Sequence, residues 1–389
     1  MPYVTEYPLS KAASYSGGQV LEFLSDANAG MIYQGATWTL DGEIKCTLDG
    51  TNVVKSTDAV YFDMLSGFHG MINELDITLQ GTGFSENLLN YGRIVHMKNV
   101  ATRNLADLGS GTADALEGLA PSNAMTNGLM NGRLNLSAVD ADDQGYIPFS
   151  LKLDCMLNNS GDLPADLTGQ IKVRMVLARG YQFMFGEDTT VNTQFTVKSP
   201  RLRCQVRPLT DRDPTQLALN YRYAYTTQIE SNNQTLYAYI PGVSTGVHMS
   251  FISQNNESNV TKNFYATAPV PGIPPENASA QTSENEYGFQ KVVYSINANN
   301  SVLKGYTMDS REDILRTALD SYGSRKNQST LINLMRRPNN PDGYLLGIQF
   351  PGAMNFSGQK FGAQLRSQVG QNGNGNYRAF IVADMVKVM

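Results

Sequence analysis

Charge is scarce in this sequence. Only 17% of the 389 residues are Asp, Glu, Lys or Arg, with 30 basic side chains against 35 acidic ones and a formal net charge of −5. No basic run of five or more residues occurs, so the chain is a poor candidate for wrapping nucleic acid. Histidine is scarcer still. His69, His96 and His248 lie far apart, in neither an H-x-H nor an H-E-x-x-H spacing, which favours packing or turn roles over zinc binding or His-centred catalysis. The three cysteines, Cys46, Cys155 and Cys204, are too few and too widely spaced for a disulfide scaffold. Each sits in an alternating apolar register, which points to buried free thiols, with a single disulfide as the other reading. No apolar run approaches the roughly 18 residues that span a bilayer. The opening stretch, MPYVTEYPLSKAASYSGG, carries no basic-then-apolar leader. The expectation is a soluble chain made in the cytoplasm.

What replaces charge is Asn, Gln, Ser, Thr and Gly, together with 20 tyrosines and a 41% hydrophobic fraction that suffices for a full core. Such composition suits β proteins with long polar loops. In an Asn-rich chain of this kind, the Asn-x-Ser/Thr triplets at Asn233, Asn256, Asn277 and Asn355 read as chance. Period-2 alternation is the dominant pattern. Trp38, Leu40, Ile44, Cys46 and Leu48 share one face, opposite Thr39, Asp41, Glu43, Lys45 and Thr47. Ile147, Phe149, Leu151, Leu153 and Cys155 repeat it, as do Ile171, Val173, Met175 and Leu177, with Lys172 and Arg174 on the other side. Leu134 and Leu136 alternate more briefly. Phe195 and Val197 lie on odd positions, whereas Leu202, Cys204 and Val206 lie on even ones. This phase flip predicts a bulge or bend at Ser199-Pro200. Residues 104–131 have little periodicity and read as a long exposed loop.

The run PLTDRDPTQ at 208–216 marks a boundary, after which the pattern restarts. Tyr221, Tyr223 and Tyr225 share a face, as do Val247, Met249 and Phe251. Residues 268–286 form a proline-rich loop. A helix is predicted after Ser310, which can cap it with Asp313 as partner. Its stripe is Ile314, Leu315, Ala318, Leu319 and Tyr322, and Gly323 sits at the C′ position. Further strands are predicted over Thr330–Met335, Tyr344–Phe350 and Ala379–Met389.

One stretch organises the rest, Asp58–Met97. A short apolar run leads to Gly67, His69 and Gly70; Leu75, Ile77 and Leu79 then alternate; Gly81 and Gly83 break the chain. The spacing of Leu88, Tyr91 and Val95 predicts a helix that begins near Glu86 and includes the Asn-Tyr-Gly-Arg run at 90–93. A similar order returns in FQKVVYSINANNSVLKGY, from Phe289. This succession resembles the first jelly roll of the double jelly-roll major capsid proteins of tailless icosahedral DNA viruses. The segment LLGIQFPGAMNFSGQKFGAQLRSQV and the closing strand are similar to the second. The turn after Gln80 departs from the pattern, being Gly-Thr-Gly rather than Asn-Gly.

The resemblance implies an all-β fold of two consecutive eight-stranded jelly rolls with short inserted helices. The division is an amino-terminal arm over 1–30, a first roll over 31–210 and a second over 211–389. It also implies a structural protein of the virion, made in the host cytoplasm. Its partners would be itself, as a homotrimer of six-sided outline with trimer–trimer contacts in an icosahedral shell, together with minor capsid and penton proteins and an inner viral membrane faced by the arm. Direct sequence-specific nucleic-acid binding is not expected, nor is any catalytic residue, cofactor or metal.

The remaining motifs are weak. Gly242-x-Ser244-x-Gly246 matches a nucleophile elbow by letters, but it follows Pro241 and precedes a strand-like VHMSF run, so a polar hairpin turn is the better reading. Gly109-Ser110-Gly111 lacks the third glycine of a nucleotide fingerprint. Gly373 and Gly375 lie in an Asn-Gly turn without a phosphate lysine. Asp140, Asp142, Gln144 and Gly145 begin like a calcium loop, yet Leu151 stands where its bidentate Glu is required. Two other classes stay open: a carbohydrate-binding adhesin or lectin, because jelly rolls also serve there, and a β-rich glycosidase using an acidic pair such as Glu284 and Glu286.

Overall fold

The computed structural model describes residues 3–48, 50–53, 60–62, 66–102, 116–118, 145–186, 193–210, 220–231, 235–253, 291–298, 301–322, 346–366 and 377–388. The first half opens with strands β1 (Tyr3–Glu6), β2 (Ser14–Ser16), β3 (Val20–Ser25), β4 (Met31–Tyr33), β5 (Thr39–Leu48), β6 (Asn52–Val53), β7 (Val60–Phe62), β8 (Ile72–Leu79) and β9 (Phe84–Leu89). Helix α1 (Tyr91–Thr102) follows, then β10 (Ile147–Lys152), the short α2 (Met156–Asn159), β11 (Leu163–Pro164), β12 (Ile171–Leu177), β13 (Met184–Gly186) and β14 (Thr193–Pro208). The second half has β15 (Asn220–Ser231), β16 (Thr235–Tyr239), β17 (Val243–Ser253), β18 (Lys291–Ala298) and β19 (Ser301–Met308). It closes with helix α3 (Arg311–Ser321), β20 (Leu346–Asn355), β21 (Lys360–Arg366) and β22 (Tyr377–Val388).

The second half forms two sheets, ordered β15-β22-β17-β20 and β16-β21-β18-β19. Counted along the half, these are strands 1-8-3-6 and 2-7-4-5, the strand order of a jelly roll. The first half repeats it. One sheet runs β3-β12-β8-β9. The other runs β10-β5-β14, and β1 and β2 both pair with β14, so that together they act as the first strand. Each half is thus a complete roll, and each roll places one helix after its fifth strand.

The predicted arm is corrected here. Residues 3–6 pair with 202–205, residues 14–16 with 196–198, and residues 20–25 with 171–176. The first 25 residues are therefore woven into the first roll. Their own alternation is too short to announce this; the partners β14 and β12 supply the ladder.

Most alternating runs fold as read. Ile171, Val173, Met175 and Leu177 are buried, while Arg174 on the outer face meets Asp76 at 2.7 Å and Lys172 meets Glu22 at 3.3 Å. Trp38, Leu40, Ile44 and Cys46 are buried, as are all three cysteines, which are free. The phase flip in β14 is a bulge: pairing with β5 shifts between Lys198 and Arg201, and Ser199 takes φ 48°. In the second half, Ser310 Oγ accepts the Asp313 amide at 3.1 Å and caps α3, whose Ile314, Ala318 and Leu319 are buried.

Three other readings change. Glu86 and Leu88 lie on strand β9, whose burial alternates, and the helix begins only at Tyr91 after Asn90 at φ 52°. The stretch before α3 is a hairpin of two strands, β18 and β19, rather than one strand and a turn. Ser244 is no turn residue. It is buried inside β17 at a second bulge, where the register shifts between Ser244 and Gly246 and its hydroxyl donates to the Gly246 carbonyl at 2.9 Å.

Two apolar cores result. One lies wholly within the second roll. The other fills the first roll and continues into Tyr221, Ala318, Leu319, Phe380 and Val382 of the second. Among the described residues, no helix is long and apolar enough to cross a membrane.

Candidate functional site

The two rolls meet along two edge strands. β9 ends the sheet β3-β12-β8-β9, and β15 ends the sheet β15-β22-β17-β20. An edge strand exposes unpaired amides and carbonyls, and burial makes them costly unless they find partners. Here the edges are joined by side chains rather than by a ladder. The Ala224 amide of β15 donates to Glu86 Oε1 at 2.7 Å, and the Arg222 amide donates to Ser160 Oγ at 3.0 Å. The Leu89 amide of β9 donates to Thr226 Oγ1 at 3.1 Å. Aromatic rings close the seam beside them: Phe84 stacks on Tyr221 at 5.0 Å and meets Tyr223 edge-on at 4.9 Å.

Glu86 is the centre of this junction. Its side chain is on the buried face of β9, and the residue is 2% exposed. Its second oxygen, Oε2, accepts the Met156 amide at 2.7 Å, the first helical amide of α2. Burial pushes the carboxyl up to about 8, against the two amide hydrogen bonds, and the nearby Asp154 raises it further. Asp154 itself binds Lys98 of α1 at 2.6 Å, and its amide donates to the Tyr91 hydroxyl at 2.7 Å. Burial also raises the Tyr91 phenol and the Cys155 thiol well above their ordinary values.

A cavity of 510 Å³ opens at this junction. Glu86, Lys98 and Asp154 line it from the first roll; Tyr223, His248, Tyr322 and Asp384 line it from the second. Equivalent helices flank it, with Ile94 and Met97 of α1 on one side and Ser321 at the end of α3 on the other.

The far wall contains a serine, a histidine and an aspartate in contact. Ser321 Oγ lies 3.0 Å from His248 Nδ1, and His248 Nε2 lies 2.7 Å from Asp384 Oδ2. Hydrolases use this residue set with the serine proton passed to the histidine. The Ser321 hydroxyl also donates to the Ala318 carbonyl at 2.5 Å, a bond that competes with donation to Nδ1. The array instead ties α3 to β17 and β22, with Tyr322 stacked on the imidazole at 3.8 Å. Gly347 makes room for it: a Cβ there would stand 2.6 Å from Ser321 Oγ and 3.1 Å from His248 Nδ1.

Of the catalytic and metal-binding candidates weighed in the sequence, His248 is the one that lines this site. His69 is buried elsewhere, with Nδ1 3.3 Å from the Tyr91 hydroxyl, and His96 is buried in α1. Residues 109–111, 140, 142, 144, 284, 286, 373 and 375 lie outside the described residues. Among the described residues, no three His, Cys, Asp or Glu side chains converge to hold a metal. The junction residues that sequence reading missed are Glu86, Asp154, Ser321 and Asp384. Only Glu86 had a local signal, as a carboxyl on the apolar side of the alternating Phe84-Glu86-Leu88 run.

Two solved structures show the same architecture. The chain matches the Faustovirus major capsid protein with a TM-score of 0.59 and 8% identity, over 99% of this chain and 89% of that one. It matches a chain in the structure of the Sputnik virophage with a TM-score of 0.58 and 10% identity, over 100% of this chain and 88% of that one. The fold is a double jelly roll. No family model and no curated protein matches the sequence. In this double jelly roll the likeness therefore rests on strand order and packing, which tolerate wholesale exchange of side chains as long as the alternation survives.

Proposed function

We propose that the chain is a viral major capsid protein, whose work is assembly rather than catalysis. The observation that carries this reading is the full-length match: both rolls, in tandem and in the same order, superpose on a protein named as a major capsid protein. Three such subunits, each with two rolls, give a six-cornered block that tiles a shell without gaps; trimer–trimer contacts and minor capsid and penton proteins then complete it. The surface supports contact-making. Tyr237 and Tyr239, side by side on the outer face of the edge strand β16, are 54% and 65% exposed, and Tyr3 and Tyr7 are more than half exposed as well. Aromatic side chains of this kind are enriched where protein surfaces meet.

Light scattering after size exclusion should report about three times the 42.6 kDa chain mass, and electron micrographs should show shells or six-sided particles. A sharp monomer peak, constant across concentration and salt, overturns the reading. Retention on a glycan column by such a monomer points to the lectin class instead.

A further inference from the structure

The carboxyl at the centre of the seam is reached from both rolls, and among the described residues no cation pairs with it. The first roll contributes the Met156 amide and the second the Ala224 amide, each at 2.7 Å. Opening the seam would replace the Ala224 donor by water and admit water to the Met156 bond, which stays within the first roll. From the turn before α2, Asp154 and Cys155 face Glu86; from α1, Tyr91 does; from β15, Tyr223 does. All four are acids. Two cations line the same cavity: Lys98 is engaged by Asp154, and Arg222 is an exposed residue. His248 and Asp384, on the far wall, bind each other. Among the described residues, an ionised Glu86 would thus sit among a carboxylate, a thiol and phenols, compensated by two amide dipoles.

We propose that the seam between the rolls is a proton-held clasp, closed while Glu86 is neutral and loosened as Glu86 ionises. The closed seam holds the carboxyl at about 8, whereas water returns it to the ordinary carboxylate range near ~4.3. The closed state therefore keeps a proton that the open state releases. The seam is tightest below the lower value, weakens across the window between the two, and changes no further above the upper one. Within that window one proton leaves per opening, so the open fraction rises about tenfold per pH unit. The clasp does not rest on the capsid reading; a chain that stayed monomeric could still possess it.

Hydrogen exchange on the full-length protein tests it. Amide exchange is base-catalysed and gains about tenfold per pH unit by itself, so an ordinary opening gives a slope of one in log rate against pH. A proton-linked opening adds a second factor of about ten. Between about pH 5 and about pH 8, the Ala224 amide should show a slope of two. In Glu86→Gln, which keeps the size and cannot ionise, it should return to one. A wild-type slope of one at Ala224 overturns the proposal, whether or not the variant folds. So does an Ala224 opening no more frequent than that of Val173 inside the first roll, which would mean that the seam opens only with the whole chain. A slope of two that persists in Glu86→Gln overturns it as well, by placing the proton on another group.

Discussion

The two rolls share one strand order but specify their matching helices in opposite ways. α3 carries its own instructions: a Ser310 cap, Glu312 and Asp313 in its first turn, and one buried stripe opposite exposed Glu312 and Arg316. α1 is built otherwise. It has no acidic residue in its first turn, it begins after Asn90 in the left-handed region, and it buries Arg93 and His96 alongside Tyr91, Val95 and Met97. A helix buried on most sides is held by its surroundings rather than by its sequence pattern. The cores follow the same division. The second roll closes on itself, whereas the core of the first runs across the seam into its neighbour. The difference teaches that the tandem is not two independent units. The first roll is the platform, and the second roll both stands on it and helps to complete it.

The comparison can be broken most severely at Phe84, whose ring contacts both Tyr221 and Tyr223. Phe84→Ala should cost about 3–5 kcal/mol and should uncouple the rolls. The one tryptophan, Trp38, reports on the first roll from its place against Tyr33. In urea, its fluorescence and the far-UV signal of the whole chain should coincide in the wild type and separate in the variant. Coincident curves with a loss below about 1 kcal/mol would show the seam to be incidental. A smaller change sharpens the contrast from the other side. Gly347→Ala forces a Cβ against Ser321 and His248, an overpacking that should cost about 1–3 kcal/mol and leave the Trp38 transition in place. A shift of the Trp38 midpoint would mean that the second roll's interior also supports the first. The smallest effect concerns the caps. Ser310→Ala should lower the stability of the second roll by about 1 kcal/mol, read as faster exchange of the α3 amides with α1 unaffected.

What could be read from the sequence follows the same line. Wherever alternation runs for five residues or more, as in β5, β10 and β12, faces and burial were legible because a strand that buries one side must alternate. The bulge at Ser199-Pro200 was legible for the same reason, since a phase flip has few other causes. The first 25 residues were not, because β1 and β2 become strands only through β14, which lies almost two hundred residues away. Glu86 was misplaced for a subtler reason. Leu88, Tyr91 and Val95 do fall at helical spacing, but two of them belong to the helix and one to the strand before it. The Ser321–His248–Asp384 array spans 136 residues between its histidine and its aspartate. No spacing rule could announce it, because topology alone brings those side chains together.

The capped edge of β15 also bears on how the chain comes into being on the ribosome. Glu86 and Ser160, which receive the Ala224 and Arg222 amides, both precede β15 in the chain. When β15 emerges during synthesis, the groups that will occupy its open edge have already been made, on a roll whose described strands end at Pro208. The edge of β15 that faces the first roll thus finds partners made earlier in the same chain, whereas its other edge waits for β22, the last strand.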